Sequence, residues 1–107
     1  MQQLPAQALA DWLADAGRKS PLLLDVREDW EVELCSLPGT HHLPMQQIPS
    51  SLDELDRNGE WVVICHHGVR SAQVAMFLER QGFQAVYNLT GGVEAWATEV
   101  DSSMRRY

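Results

Sequence analysis

The run Cys65-His66-His67-Gly68-Val69-Arg70-Ser71 gathers a thiol, two imidazoles, a glycine, a guanidinium and a hydroxyl within a few positions. Trp61-Val62-Val63-Ile64, apolar and β-branched, leads straight into it and reads as a strand. A helix is expected from Arg70 or Ser71 to Gln81, with Val74, Phe77 and Leu78 as its apolar stripe and Gly82 as its stop. A cysteine set between such a strand and such a helix faces unpaired backbone N–H groups and the positive end of the helix dipole, which favour a thiolate nucleophile. Gly68 lets the loop fold back without a side-chain clash, Arg70 offers a fork of donors to an oxyanion, and Ser71 can cap the helix or bond the sulfur. The cradle that receives an anionic donor would also stabilise the negative outer sulfur of a Cys65 persulfide. The plain alternative is a core cysteine, but packing gives no reason for two histidines, a glycine and an arginine behind it. His66 and His67 either raise the local positive potential or lie at the pocket rim.

The elements that must position this loop follow from the rest of the chain. Leu4 to Ala16 places Leu9, Trp12, Leu13 and Ala16 at helical spacing, with Pro5 in the first turn and Gly17 at the stop. Leu22 to Val26 is short and almost wholly apolar, as a strand covered on both faces should be. A brief helix over about 28–34, a short strand at His41-His42-Leu43 and a short helix from Leu52 to Leu55 precede the strand that ends at Cys65. Beyond the central helix come a strand from Ala85 to Leu89, the turn Thr90-Gly91-Gly92, a closing helix from Val93 to about Val100 that carries Trp96 inward, and a polar tail over 101–107. Strands alternating with helices imply an α/β fold, a mostly parallel sheet flanked by helices on both faces. Chemistry in such sheets sits at the carboxyl ends of the strands, where Cys65 lies. Asp25 and Arg27 end a neighbouring strand, and a supporting role is expected, bracing the loop by hydrogen bonds or an ion pair. Trp12, Trp30, Trp61 and Trp96 read as core or pocket-wall residues.

A chain of 107 residues accommodates one domain, spanning 1–107 with a core over about 4–100. The formal charge of -7 argues against nucleic acid or an anionic membrane as partner. Any anionic substrate needs a local positive site against that field. No basic region precedes an apolar stretch of signal-peptide length, and no segment approaches the roughly 20 apolar residues of a membrane span, so a cytoplasmic protein with reduced cysteines is expected. Cys35 is expected to pack, its other option being to resolve a Cys65 persulfide into a disulfide. His41 and His42 with Cys35 and Cys65 match no common zinc spacing, and no metal or organic cofactor is expected. With no obvious exposed apolar run, a monomer is the default.

The loop C-H-H-G-V-R-S resembles the active-site loop of rhodanese-like domains. Leu23-Leu24-Asp25-Val26-Arg27-Glu28 is similar to that family's L-(I/L)-D-V-R-(E/S) strand, Leu37-Pro38-Gly39-Thr40-His41-His42-Leu43-Pro44 to its H-I-x-G-A-x-N-I-P segment, and Leu89-Thr90-Gly91-Gly92-Val93-Glu94-Ala95-Trp96 to its L-x-G-G-(I/V)-x-A-W close. The likeness covers nearly the full chain in the right order. Two departures are Ser36, where the family usually has histidine, and Thr40, where it has alanine.

This resemblance implies the rhodanese-like fold, with Cys65 as the persulfide-bearing nucleophile and Arg70 as the loop arginine that helps hold an anionic donor. His66, His67, Gly68, Val69 and Ser71 complete the expected substrate cradle. A phosphatase branch of the fold has a loop one residue longer; here four residues separate Cys65 from Arg70, the spacing of the sulfurtransferases. The implied reaction takes sulfane sulfur from thiosulfate or a similar small anionic donor and passes it to cyanide, a thiol or a protein acceptor. The other form of the same chemistry is a sulfur-carrier module that acts only with protein partners.

Overall fold

Successive apolar residues of one strand serve two cores at once. In the strand that runs into Cys65, Trp61, Val63 and Cys65 join one buried cluster, while Val62 and Ile64 join another. Alternation of side chains across a pleated strand sends them to opposite faces. A strand buried on both sides has no use for polar positions, which is why it reads as a continuous apolar run.

The computed structural model describes residues 1–107. In chain order the elements are β1 (Gln2–Pro5), α1 (Ala6–Ala14), β2 (Leu22–Asp25), α2 (Asp29–Leu34), β3 (His41–His42), β4 (Glu60–Ile64), α3 (Val69–Arg80), β5 (Ala85–Thr90) and α4 (Gly92–Glu99), with 3₁₀ turns at Met45–Gln47 and Leu52–Glu54. The five strands form one sheet in the order β1-β5-β4-β2-β3, and every pairing is parallel. Leu9 and Trp12 of α1 and Val93 and Trp96 of α4 pack on one face with Leu23, Val62, Ile64 and Leu89. Val74, Ala75 and Leu78 of α3 pack on the other with Leu24, Val63, Phe83 and Val86. Each fully buried Leu, Ile or Val in these layers contributes about 1.5–3 kcal/mol relative to exposure. No helix is long and apolar enough to cross a membrane.

Several expectations need correction. The first helix starts later than Leu4, because Gln2 to Pro5 pair with Tyr87 to Thr90 as an edge strand; Pro5 is tolerated at its end. The helix stops at Ala14, and Leu13 is exposed. Trp30 is no core residue: it is 57% exposed and meets Tyr107 edge to face, with ring centroids 5.7 Å apart. The segment 101–107 is not a free polar tail, since Met104 and Tyr107 pack against the core shared by α1 and α4.

Candidate active site

The end of β4 and the start of α3 are separated by a tight turn at Gly68, whose φ is +97°, a left-handed conformation that favours glycine. A Cβ there would also press on the backbone of Leu89 and Gly91. This turn brings the Gly68 amide to Cys65 Sγ at 3.0 Å, with Ser71 Oγ at 3.2 Å from the same sulfur. Of the several loop amides expected to face the sulfur, Gly68 supplies the one that bonds it. Cys65 and Ser71 are both buried.

The outward side of the loop is held by α4. The Val93 amide donates to Cys65 O at 2.9 Å and the Glu94 amide to His66 O at 3.1 Å, so the free N–H groups of a helix start are spent on the loop's carbonyls. Such an approach requires glycine at position 92, where a Cβ would overlap the carbonyls of Cys65 and His66. Behind Ser71 lies Asn88 of β5, accepting from Ser71 Oγ and donating to Gly68 O at 3.1 Å and to Gln3 Oε1 at 3.0 Å. Polar Asn88 amid the apolar run Ala85 to Leu89 is the signal in the sequence for this support.

Arg70 does not stand free. Its Nη1 and Nη2 donate to the two carboxylate oxygens of Glu31 at 2.7 and 2.8 Å, a bidentate pair. Glu31 itself is fixed from behind: its Oε1 accepts the Glu28 amide at 3.0 Å in a capping box that starts α2, and its Oε2 accepts from Tyr107 Oη at 2.7 Å. Nothing local to the helix expected over about 28–34 marks Glu31 as the partner of Arg70, 39 positions away in the chain.

Asp25 and Arg27 form an ion pair with neither side chain exposed, Arg27 Nη2 to Asp25 Oδ2 at 2.7 Å. Arg27 also donates to Cys35 O at 2.6 Å, Glu31 O at 3.3 Å and Tyr107 Oη at 3.0 Å. The pair thus braces the 25–35 segment and the chain's last residue rather than the Cys65 loop itself. His66 is sandwiched between His67 and Tyr107, at centroid distances of 3.9 and 3.8 Å, and its Nε2 is buried without a partner. Val69 is 68% exposed and bonds nothing in the site. His42 Nε2 lies 2.8 Å from Arg27 O, and no three His, Cys, Asp or Glu side chains converge as a metal-ligating group.

The electrostatics follow from this pairing. Hydrogen bonding to Arg70 outweighs burial and holds the Glu31 carboxyl at about 2, below its ordinary 4.5; Arg70 is raised in turn, chiefly by Glu31. Burial pushes the Tyr107 phenol up to about 12 against the donation from Arg27. Burial, then the neighbouring His67, lowers His66 and favours its neutral ring. A carboxyl lowered in the folded state stabilises the protein fully above its unfolded value and ceases to do so as pH falls through the folded one. The melting temperature should therefore drop as pH goes from 4.5 toward 2. Glu31→Gln should flatten that slope in thermal melts over the same window; equal slopes for both proteins would refute the assignment to Glu31.

Residues 6–99 match the family model for the rhodanese-like domain. The chain belongs to the rhodanese-like domain family. This rhodanese-like domain is 44% identical over 77 residues to the putative sulfurtransferase YtwF of Bacillus subtilis, covering 72% of this chain and 74% of that one. It is 34% identical over 97 residues to a sulfurtransferase of Allochromatium vinosum, covering 91% and 89%. A rhodanese-like domain protein from Staphylococcus aureus has the same fold, with a TM-score of 0.84 at 30% identity over 100% of this chain and 99% of that one. Other relatives are longer, and the chain spans only 30% and 43% of two of them.

Proposed function

We propose that this rhodanese-like domain is a sulfurtransferase that carries sulfane sulfur as a persulfide on Cys65. The observation that carries the reading is the Gly68 amide donating to Sγ at 3.0 Å at the carboxyl end of a central strand, with Ser71 Oγ, whose own proton goes to Asn88, 3.2 Å away to accept from the thiol. An amide fixed at a sulfur stabilises negative charge on it before any substrate arrives. The thiolate attacks the outer sulfur of the donor, a new S–S bond forms at Sγ, and the donor's own bond to that sulfur breaks with the electron pair leaving on the donor residue. A nucleophilic acceptor, cyanide or a thiol, then attacks the outer sulfur and Cys65 departs as the thiolate. The similarity to proteins named sulfurtransferases supports this cycle over phosphoester chemistry.

The thiol is 1% exposed, and none of the surface cavities is lined by residues 65–71. A donor reaches the sulfur only when the side chains around it shift. That closure favours, as the second reading, a relay whose physiological donor or acceptor is a protein that opens the site on docking. Intact mass decides the core claim. After incubation with thiosulfate or with a small thiol persulfide and removal of excess, the protein should gain the mass of one sulfur atom, and cyanide should strip it as thiocyanate. No gain from either donor would overturn the proposal.

A further inference from the structure

We propose that Glu31 is a specificity-determining residue that sets the donor class of this site, disfavouring thiosulfate and favouring thiol persulfides; the inference rests on the Cys65 persulfide reading. The basis is that Arg70, the loop's own cation, already has a carboxylate, as do Arg27 and Arg106. Arg70 is clamped by Glu31 through two hydrogen bonds, Arg27 by buried Asp25, and Arg106 by Glu94, whose amide is itself bonded to the loop at His66 O. His66, lowered by burial, adds no charge at neutral pH. Glu31 cannot easily turn aside: it is 4% exposed and is held by the Glu28 amide and the Tyr107 hydroxyl as well as by Arg70.

The two donor classes differ in the charge they bring. With thiosulfate, Cys65–S⁻ and S–SO₃²⁻ give Cys65–S–S⁻ and SO₃²⁻, so three negative charges share the transition state. With a thiol persulfide the protonated form reacts: Cys65–S⁻ and R–S–SH give Cys65–S–SH and R–S⁻, so one negative charge shares the transition state, and the proton then passes from Cys65–S–SH to R–S⁻ to leave Cys65–S–S⁻ and R–SH. Each unit charge brought to about 4 Å from an unneutralised like charge costs well over a factor of ten in rate at the effective dielectric of a partly buried site. A free guanidinium would relieve that cost for thiosulfate. Arg70 already shares its charge with Glu31, so the dianion meets a cradle with no net positive charge.

The test compares kcat/KM for thiosulfate and for the persulfide of N-acetylcysteine methyl ester, each divided by that donor's rate with free cysteine to remove intrinsic reactivity. The wild type should prefer the persulfide by about a hundredfold or more on this scale, and Glu31→Gln should move the ratio toward thiosulfate by about tenfold or more. A purely structural role for Glu31 would slow both donors together and leave the ratio where it was. A folded Glu31→Gln protein with an unmoved ratio overturns the proposal. So does a wild type that uses the two donors equally well, a result that needs no variant at all. If neither donor loads Cys65 in the mass experiment, the parent reading fails first and this one with it.

Discussion

Cys65→Ser protein should take up no sulfur from any donor and should turn over none, while melting close to the wild type. Serine keeps a small side chain at a site that is 1% exposed, and its hydroxyl can still accept from the Gly68 amide and bond Ser71 Oγ. The cost of losing the larger sulfur in a packed layer is about 1 kcal/mol, small against the total stability of a domain. The chemical loss is complete, because a serine oxygen is a far weaker nucleophile toward sulfane sulfur than a thiolate and cannot form the S–S bond on which the cycle runs. The measurement is intact mass and thiocyanate release, with a thermal melt on the same sample. Retained sulfur uptake by the serine variant would move the carrier to Cys35, the chain's other thiol.

Arg27→Met should lower stability by about 3–5 kcal/mol, the range for removing one partner of a buried ion pair. The guanidinium and the Asp25 carboxylate are both fully buried, and burial opposes the Arg27 charge until hydrogen bonds to Asp25 and Tyr107 restore it. Methionine fills the space but leaves Asp25 charged among apolar neighbours and frees the carbonyls of Glu31 and Cys35 from a donor. For a domain of this size the melting temperature should fall by roughly 10–20 °C. Adding Asp25→Leu should recover part of that loss, since an apolar pair removes the stranded charge; the remainder measures the carbonyls left without Arg27. A single Arg27→Met variant that melts within a few degrees of the wild type would show that the pair is not what holds the 25–35 segment.

The parts of this molecule that were legible in the sequence are those encoded by neighbours in the chain. Trp61 to Ile64 reads as a strand from its β-branched apolar residues, Val74, Phe77 and Leu78 as a helix face, and the loop after Cys65 announces itself by residue type. What could not be read depends on partners far along the chain. Gln2 to Pro5 carry no strand pattern of their own and become one only because β5 offers an edge. Glu31 lies inside the brief helix expected over about 28–34, and nothing in that stretch tells that it bonds Arg70, 39 positions away, or Tyr107, 76 positions off. Arg70 was therefore expected to face a donor with its fork free, and its two Nη groups are instead bound to Glu31. The stretch 101–107 reads as a polar tail because five of its seven residues are polar or charged, whereas the Tyr107 ring is stacked on His66.

The sheet order carries a temporal consequence. β1 lies at the edge beside β5 and has no other neighbour, and Gln3 and Asn88, which bond each other across that seam, are 85 positions apart. At a synthesis rate of about 5–20 residues per second, the first strand waits roughly 4–17 seconds for the only surface it can pair with. Over the later part of that interval Cys65 has emerged without Asn88 behind its serine neighbour or the α4 amides over its loop. A growing chain therefore passes through a stage at which its thiol lacks the contacts that bury it, and those contacts form only once residues 88–94 have emerged.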